Sequence, residues 1–427
     1  MVPDKNLKII LIGLVGNMLE WYDFAVYGYF AAIIGTLFFP SSSPSASLLM
    51  SFSAFAVGFV SRPIGGAIFG HLGDRLGRKT ALVWSTLLMA IPCTLVGLLP
   101  TWETIGVAAP VLLVFLRLLQ GASVGGELTG SVTYMFERAS GGREASTSSW
   151  TIVGAISGIL LGSAVAAVFT ALLSTEQLAA WGWRIPFLLG AVVGIAGYLL
   201  RRHMPDEVVS PGDPQRRSPI VIAVRDHWQM MLAGVGLAIM AAINFYMAFV
   251  YLTTYMARVA GIDQALSLEI NTISMVVLAV AVVAGGRLAD RFGARRVLMA
   301  SAAALFVAAY PLFWLIDHPD PDYALAGQIC LAIVVGPYTG VYAFYIGKLF
   351  PPEIRMSGFS VSFNVSYAIF GGTAPMIAQL LADDVGPHAP ALYAMAAAAT
   401  GMTALAFTMR AGAAENADQG VLKPAVS

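Results

Sequence analysis

Long apolar stretches separated by short polar breaks run the length of the chain. A membrane-spanning helix needs about 20 predominantly apolar residues. Twelve segments satisfy this: residues 9–38, 49–69, 80–99, 105–135, 147–172, 184–202, 229–257, 265–286, 296–316, 324–349, 357–382 and 389–410. Six precede and six follow a hydrophilic stretch, 203–228, which contains HMPDEVVSPGDPQRRSP and has room for a short amphipathic helix near its end. The pattern predicts an all-α integral membrane protein with twelve transmembrane helices in two six-helix bundles, 1–202 and 229–412, joined by a linker at 203–228 and followed by a tail at 413–427.

Composition narrows the class. Of 427 residues, 58% are hydrophobic and 11% charged, whereas soluble domains carry about 25% charged residues. The formal net charge is zero, so nothing points to a nucleic-acid partner. The two cysteines, Cys93 and Cys330, sit inside apolar segments and suggest neither a disulfide framework nor a metal site. The first apolar run is too long, and too acidic, for a cleavable signal peptide.

Charge also orients the chain. With the N-terminus placed in the cytoplasm, 20 of the 24 Lys and Arg fall on the cytoplasmic side, Arg184 and Arg258 fall outside, and Arg62 and Arg117 lie within spans. This is the positive-inside signature. It predicts a multi-pass protein of the cell membrane (the inner membrane of a bacterium) with both termini in the cytoplasm. Losing any one helix would invert every later loop.

One polar break occurs twice. Residues 70–79 read GHLGDRLGRK and residues 286–295 read GRLADRFGAR. Gly70, Asp74, Arg75 and Gly77 recur as Gly286, Asp290, Arg291 and Gly293, an offset of 216 (286 − 70). Duplicated halves of this kind are characteristic of secondary transporters.

Ionisable residues inside spans are costly and mark function by default. Glu20 and Asp23 lie in the first segment, Arg62 in the second, and Arg117 and Glu127 in the fourth, with no equivalent mid-span charge in the second half. Glu20 and Asp23, three apart, share a helix face with Asn17 and Tyr27. At about 1.5 Å per residue, Glu20 is roughly 18 Å along the helix from Lys8, and Arg62 about 12 Å from Gly70, so the two can meet near mid-membrane. Neighbouring carboxylates that exchange a proton, with an arginine to stabilise the ionised form, suit proton coupling. The plainer alternative is an ion pair that fixes helix packing. Arg117 and Glu127, about 15 Å apart on one helix, are expected to have different partners.

The second half offers polar and aromatic groups instead. Asn244, Tyr246, Tyr251 and Tyr255 lie in the seventh segment, Tyr338, Tyr342 and Tyr345 in the tenth, and Asn364 and Tyr367 in the eleventh. They are candidates to line a water-filled cavity for a small polar solute. Packing, an interfacial belt (expected for Tyr255) and helix-to-helix amide bonds are the competing roles. Gly371, Gly372 and Pro375 would let the eleventh helix bend.

These residues resemble a known family. The repeated GxLxDRxGR pattern resembles the signature of the major facilitator superfamily, and Arg117–Gln120–Gly121 within RLLQGASVGGE resembles its fourth-helix motif. GNMLEWYDF (16–24), RPIGG (62–66), SVGGE (123–127), WGWRIPF (181–187), FPPEIR (350–355) and AIFGG (368–372) resemble its metabolite:proton symporter branch, which includes proline/betaine, α-ketoglutarate, shikimate and citrate carriers. The resemblance implies two pseudo-symmetric six-helix bundles and alternating access about a midplane site. It also implies a cytoplasmic gate formed by Gly70, Asp74, Arg75 and Arg78, with Gly286, Asp290 and Arg291 as counterparts. Ala294 stands where the first copy has Arg78, so the second latch is expected to be weaker.

The resulting expectation is proton-coupled uptake of a small polar metabolite by alternating access. Glu20, Asp23, Arg62, Arg117 and Glu127 are the proton-coupling candidates. Asn17, Tyr27, Asn244, Tyr246, Tyr251, Tyr338, Tyr342, Asn364 and Tyr367 are the solute-binding candidates. Few fixed cations and many tyrosines lean towards a zwitterion such as betaine or proline, held by cation–π contact. A mono-, di- or tricarboxylate on Arg62 or Arg117 is the alternative, and efflux by proton antiport a second, disfavoured because GAISGILLG (154–162) lacks the proline usual in antiporters. There is no nucleophile–base pair, metal cluster or phosphate loop in the sequence, which argues against an enzyme. The partners are then the solute, the proton and the bilayer, with no nucleic acid. No cofactor is expected, the proton gradient being the energy source, and a single chain is expected to function as a monomer.

Overall fold

In a computed structural model, residues 5–41, 43–204 and 218–418 are described. Residues 205–217 of the expected linker and 419–427 of the expected tail lie outside them. Among the described residues, twelve helices are long and apolar enough to cross a membrane: α1 Ile9–Phe38, α2 Ala46–Leu76, α3 Arg78–Leu98, α4 Ala108–Arg138, α5 Glu144–Leu172, α6 Arg184–Arg202, α7 Trp228–Arg258, α8 Ala265–Phe292, α9 Ala294–Ile316, α10 Pro321–Lys348, α11 Arg355–Asp384 and α12 Ala389–Thr408. A helix satisfies every backbone group internally, which hydrocarbon demands. Large apolar side chains such as Val60, Ile91, Val192, Val280 and Val307 face outward, where lipid would meet them. The backbone of α12 continues as helix to Asp418, into the stretch expected to be a tail.

The packing repeats between halves. In the first, α1 packs on α5, α2 on α4, and α3 on α6; in the second, α7 packs on α11, α8 on α10, and α9 on α12. The halves meet through two equivalent contacts, α2 on α11 and α5 on α8. A short helix, Pro219–Asp226, rests on α2, α7 and α11, with Ser218 Oγ 3.2 Å from His71 Nδ1.

The repeated motif is not the loop that its charge suggested. Residues 70–76 and 286–292 are the last two turns of α2 and α8. The break is one glycine each time, Gly77 at φ 91° and Gly293 at φ 93°, a backbone region that side chains disfavour. Polar residues at these helix ends mark the membrane surface, not the end of the helix. The first glycine of each copy has another task. A Cβ on Gly70 would lie 2.8 Å from Ser357 Cα, and one on Gly286 2.7 Å from Ser146 Cα. Both glycines let helices of opposite halves touch backbone to backbone.

Two second-half helices depart from α-helical winding. α7 contains a π turn at Met247–Tyr251 and α11 one at Tyr367–Gly371, whereas α1 and α5 are α-helical throughout. Such turns are frequent at functional sites.

A candidate solute and proton site at mid-membrane, with two helix-capping gates

The buried charges sort into three pairs rather than one cluster. Glu20 Oε1 lies 3.6 Å from Arg62 Nη2. Asp23 turns away from it and accepts from Arg117 Nη1 at 2.7 Å and from Gln120 Nε2 at 2.9 Å. Glu127 accepts from Arg201 Nη1 at 2.7 Å, Ser85 Oγ at 2.7 Å and Ser131 Oγ at 3.1 Å, and Arg201 Nη2 engages its other oxygen. Glu20 and Asp23 share the inward face of α1 but, one turn apart, are claimed by α2 and α4. Arg117 and Glu127 do have different partners. All six charged groups are at most 3% exposed.

The pairs differ in completeness. Asp23 and Glu127 are well supplied with donors, and Arg117 also covers the Tyr27 ring, 3.9 Å from its centroid. Both oxygens of Glu20, and Nε and Nη2 of Arg62, have no hydrogen-bond partner among the described residues. At 3.6 Å this pair falls outside hydrogen-bonding range. A buried, half-satisfied pair is expensive in any static protein, and it is where a ligand with matching groups gains most.

Aromatic rings surround that incomplete pair. The Arg62 guanidinium lies 5.2 Å from the Phe59 ring and 5.8 Å from that of Tyr367. Tyr246 of α7 is 6.2 Å from Phe59 and 6.3 Å from Tyr367, and its hydroxyl has no partner among the described residues. Trp21 of α1 meets Phe245 of α7 edge-on at 5.6 Å. Tyr342 and Tyr367 share a hydrogen bond of 2.8 Å, and Tyr338 stacks on Tyr342 at 6.1 Å while donating to Leu237 O.

Other sequence candidates fall elsewhere. Asn17 and Asn244 donate to their own helices, at Gly13 O and Met240 O. Asn364 bridges the halves, donating to Gly125 O at 2.7 Å. Tyr27 donates to Ser51 O at 3.0 Å. Tyr251 is buried and packs on Tyr255, 5.9 Å ring to ring. Tyr255 is not a belt residue: it is fully buried and donates to Pro387 O at 2.9 Å. Nor does a water-filled cavity reach the charges, since they are nearly solvent-free; side chains fill that volume in this conformation.

Two related contacts join the halves on the motif face and are the candidate gates. Asp74 accepts from the backbone N–H of Met356 at 3.0 Å and Ser357 at 2.7 Å, capping α11 of the opposite half. Asp290 accepts from Ala145 N at 2.8 Å and Ser146 N at 3.0 Å, capping α5. A carboxylate at a helix N-terminus satisfies orphan donors and complements the helix dipole. Arg78 then joins the first gate, binding Asp74 at 2.7 Å and Pro352 O at 3.1 Å. Ala294 leaves the second without that link. Arg75 and Arg291 point to the exposed side.

A second pair of contacts is charge-swapped. Glu137 at the end of α4 binds Arg355 at the start of α11, 2.7 Å, and Lys348 at the end of α10 binds Glu144 at the start of α5, 2.7 Å. The positions correspond, each 211 residues apart (348 − 137 and 355 − 144). Beside the second gate lies a cavity of about 830 Å³ lined in part by Arg143, Trp150, Arg287 and Arg291.

The sequence alone does not single out Arg201 or Gln328, and it marks Gln120 only as part of the fourth-helix motif. Arg201 directly follows Leu200 at the end of the sixth segment and falls among the cytoplasmic charges by sequence, yet it is 0% exposed and binds Glu127. Its signal was a twin-arginine helix end facing an unpaired intramembrane glutamate. On the face opposite the motif, Asp317 lies 3.2 Å from His388, and burial holds its carboxyl above the usual carboxylate range while His388 opposes that shift.

Two duplicated bundles that close on each other around buried, incompletely paired charges define a secondary active transporter. Residues 9–209 match the family model for sugar (and other) transporters, and residues 236–425 match that for the major facilitator superfamily. Over 416 residues the chain is 33% identical to a proline/betaine transporter of Salmonella typhimurium, spanning 94% of this chain and 83% of the relative. It is 33% identical over 424 residues to a glycine betaine/proline/ectoine/pipecolic acid transporter of Dickeya dadantii, with the same coverage. A putative proline/betaine transporter of Staphylococcus aureus is 34% identical over 415 residues, 95% and 89% covered. Among solved structures, a proton:xylose symporter bound to 6-bromo-6-deoxy-D-glucose superposes with a TM-score of 0.76 at 17% identity, 95% of each chain covered. The Escherichia coli fucose:proton symporter gives 0.68 at 16% identity, covering 95% of this chain and 98% of that one. The chain belongs to the major facilitator superfamily, in its metabolite:proton symporter branch.

Proposed function

We propose that the protein imports a small zwitterion of the betaine or proline type together with protons, with the motif face and both termini in the cytoplasm. The observation that carries this reading is the Glu20–Arg62 pair, 3.6 Å apart and short of partners, inside the rings of Phe59, Tyr246 and Tyr367. A solute carboxylate supplies acceptors to Arg62. A solute ammonium takes the aromatic faces beside Glu20, a contact worth about 0.5–2 kcal/mol. The names of the relatives above, proline/betaine transporters, support the same class. A di- or tricarboxylate would leave a second negative charge facing Glu20.

Protonating Asp23 forfeits two charge-assisted hydrogen bonds; protonating Glu20 forfeits none. Glu20 is therefore the carboxyl that takes up and releases the proton, while Asp23–Arg117–Gln120 holds α1 against α4. With the site open to the outside, Glu20 gains a proton and the solute binds. The site then seals, the Asp74 and Asp290 caps part, solute and proton leave to the cytoplasm, and Glu20 returns to Arg62. A zwitterion carried with one proton moves one positive charge, so the membrane potential contributes about 2.3 kcal/mol per 100 mV.

The test is uptake by purified protein in proteoliposomes under an imposed pH gradient, with betaine, proline, citrate, α-ketoglutarate and shikimate offered separately. Accumulation of betaine or proline that a protonophore abolishes is the expected result. Accumulation of citrate alone would sink the zwitterion reading, and insensitivity to the protonophore would sink symport.

A further inference from the structure

The π turn of α7 has a dedicated holder. In an α-helix the N–H of Leu252 would bond Ala248 O, four residues back. Here it bonds Met247 O, five residues back, and Ala248 O loses its helical donor. Gln328 of α10 replaces it, donating from Nε2 to Ala248 O at 2.9 Å. The same amide donates to Asn271 Oδ1 of α8 at 2.9 Å, and Asn271 Nδ2 donates to Phe249 O at 3.3 Å. Gln328 is 0% and Asn271 9% exposed. Two amides from two helices thus converge on consecutive carbonyls of a third, within apolar surroundings where nothing else need be polar.

The turn lies directly beyond the aromatic residues of the site. Phe245 and Tyr246 precede it, and Phe249 within it packs on Phe245 at 5.7 Å. Beyond it, Tyr255 ties the outer end of α7 to Pro387 O. Relaxing the turn to α-helix removes one residue's worth of insertion, a rotation of about 100° between the two halves of α7. Both ends cannot keep their partners through such a rotation.

We propose that Gln328, relayed by Asn271, is a positioning residue that locks the α7 π turn, and that locking and release of this turn closes and opens the solute site on the outer side. The proposal builds on reading the mid-membrane site as the transport site, but its test needs no solute. Phe249 is 5% exposed, so a Phe249→Cys reporter, in a background lacking Cys93 and Cys330, should react slowly with a membrane-impermeant maleimide added outside. Adding Gln328→Met keeps the length of the side chain and removes both N–H donors. Labelling should then quicken on the order of tenfold, as release of the Ala248 carbonyl predicts, while cytoplasmic-side labelling stays unchanged. If that variant does not fold, Asn271→Leu, which frees the Phe249 carbonyl, carries the test. Deleting Val250, which is 46% exposed and whose loss converts the π turn to α, should give the same acceleration, with no further gain when combined with Gln328→Met. Unchanged labelling in either single variant, or additive effects in the combination, would overturn the proposal.

Discussion

Replacing Asp74 by Asn separates the gate reading from simple topology signalling. Asp74 donates nothing and accepts two backbone N–H bonds, of 3.0 and 2.7 Å, plus one from Arg78 at 2.7 Å. Hydrogen bonds to a charged group contribute about 1.5–3 kcal/mol each, and neutral ones about 0.5–1.5. An asparagine retains one acceptor oxygen and brings an amide that faces the donors of α11. The net loss from the closed gate is about 2–4 kcal/mol, allowing for the loss of the dipole term. At about 1.4 kcal/mol per decade this is roughly a 30- to 1,000-fold shift towards the inward-open state. Ser360, 0% exposed and 2.6 Å from Thr129 across the interface, lies just behind the gate. A Ser360→Cys reporter in inverted vesicles should therefore label faster in the Asp74→Asn background by up to that factor. Asp290→Asn, at a carboxylate without the arginine link that Arg78 gives Asp74, should give a smaller shift. Labelling within twofold of the parent for Asp74→Asn, or a larger effect from Asp290→Asn, would refute the assignment of this motif as a latch.

Further outcomes follow from the same geometry. Gly70→Ala places a methyl 2.8 Å from Ser357 Cα and Gly286→Ala one 2.7 Å from Ser146 Cα; with backbone on the far side, both should weaken inner closure and raise Ser360→Cys labelling. Glu20→Gln should abolish gradient-driven accumulation yet retain solute exchange, and full accumulation would remove Glu20 from the proton step. Arg201→Ala leaves Glu127 charged, buried and unpaired, a loss of about 3–5 kcal/mol, read as a fall in the melting temperature that Glu127→Gln partly relieves. Asp317 binds its proton more tightly in the folded protein than in the unfolded one. Its contribution to stability is therefore full below the ordinary carboxylate value and declines as pH rises through the folded one, so Asp317→Asn should flatten the pH dependence of melting over that window.

What could be read from the chain alone follows from one-dimensional rules. Hydrocarbon thickness sets the length of apolar runs, so twelve helices could be counted from residue types. The repeat at Asp74 and Asp290 announced two related halves before any packing was known. The positions of the mid-span charges along their helices also followed from the rise per residue, which put Glu20 and Arg62 at one depth. The partners did not follow. Asp23 and Glu20 sit three residues apart, yet one turns to α4 and the other to α2, because direction around a helix is resolved by neighbours and not by spacing. Arg201 read as a surface residue since burial of a helix-end arginine depends on a glutamate 74 positions earlier in the chain.

The sequence by itself determined the number of spans, the duplication and the depth of each charge, all properties of single helices in a slab of fixed thickness. Tertiary structure alone decided which carboxylate is fully paired and which is left short of donors, that each repeated aspartate caps a helix of the other half, and that Gln328 holds a π turn in α7. Those are relations between helices from tens to hundreds of residues apart. They are set by how close two backbones can approach and where the resulting side-chain donors find acceptors, and neither quantity is encoded in the local pattern of any one segment.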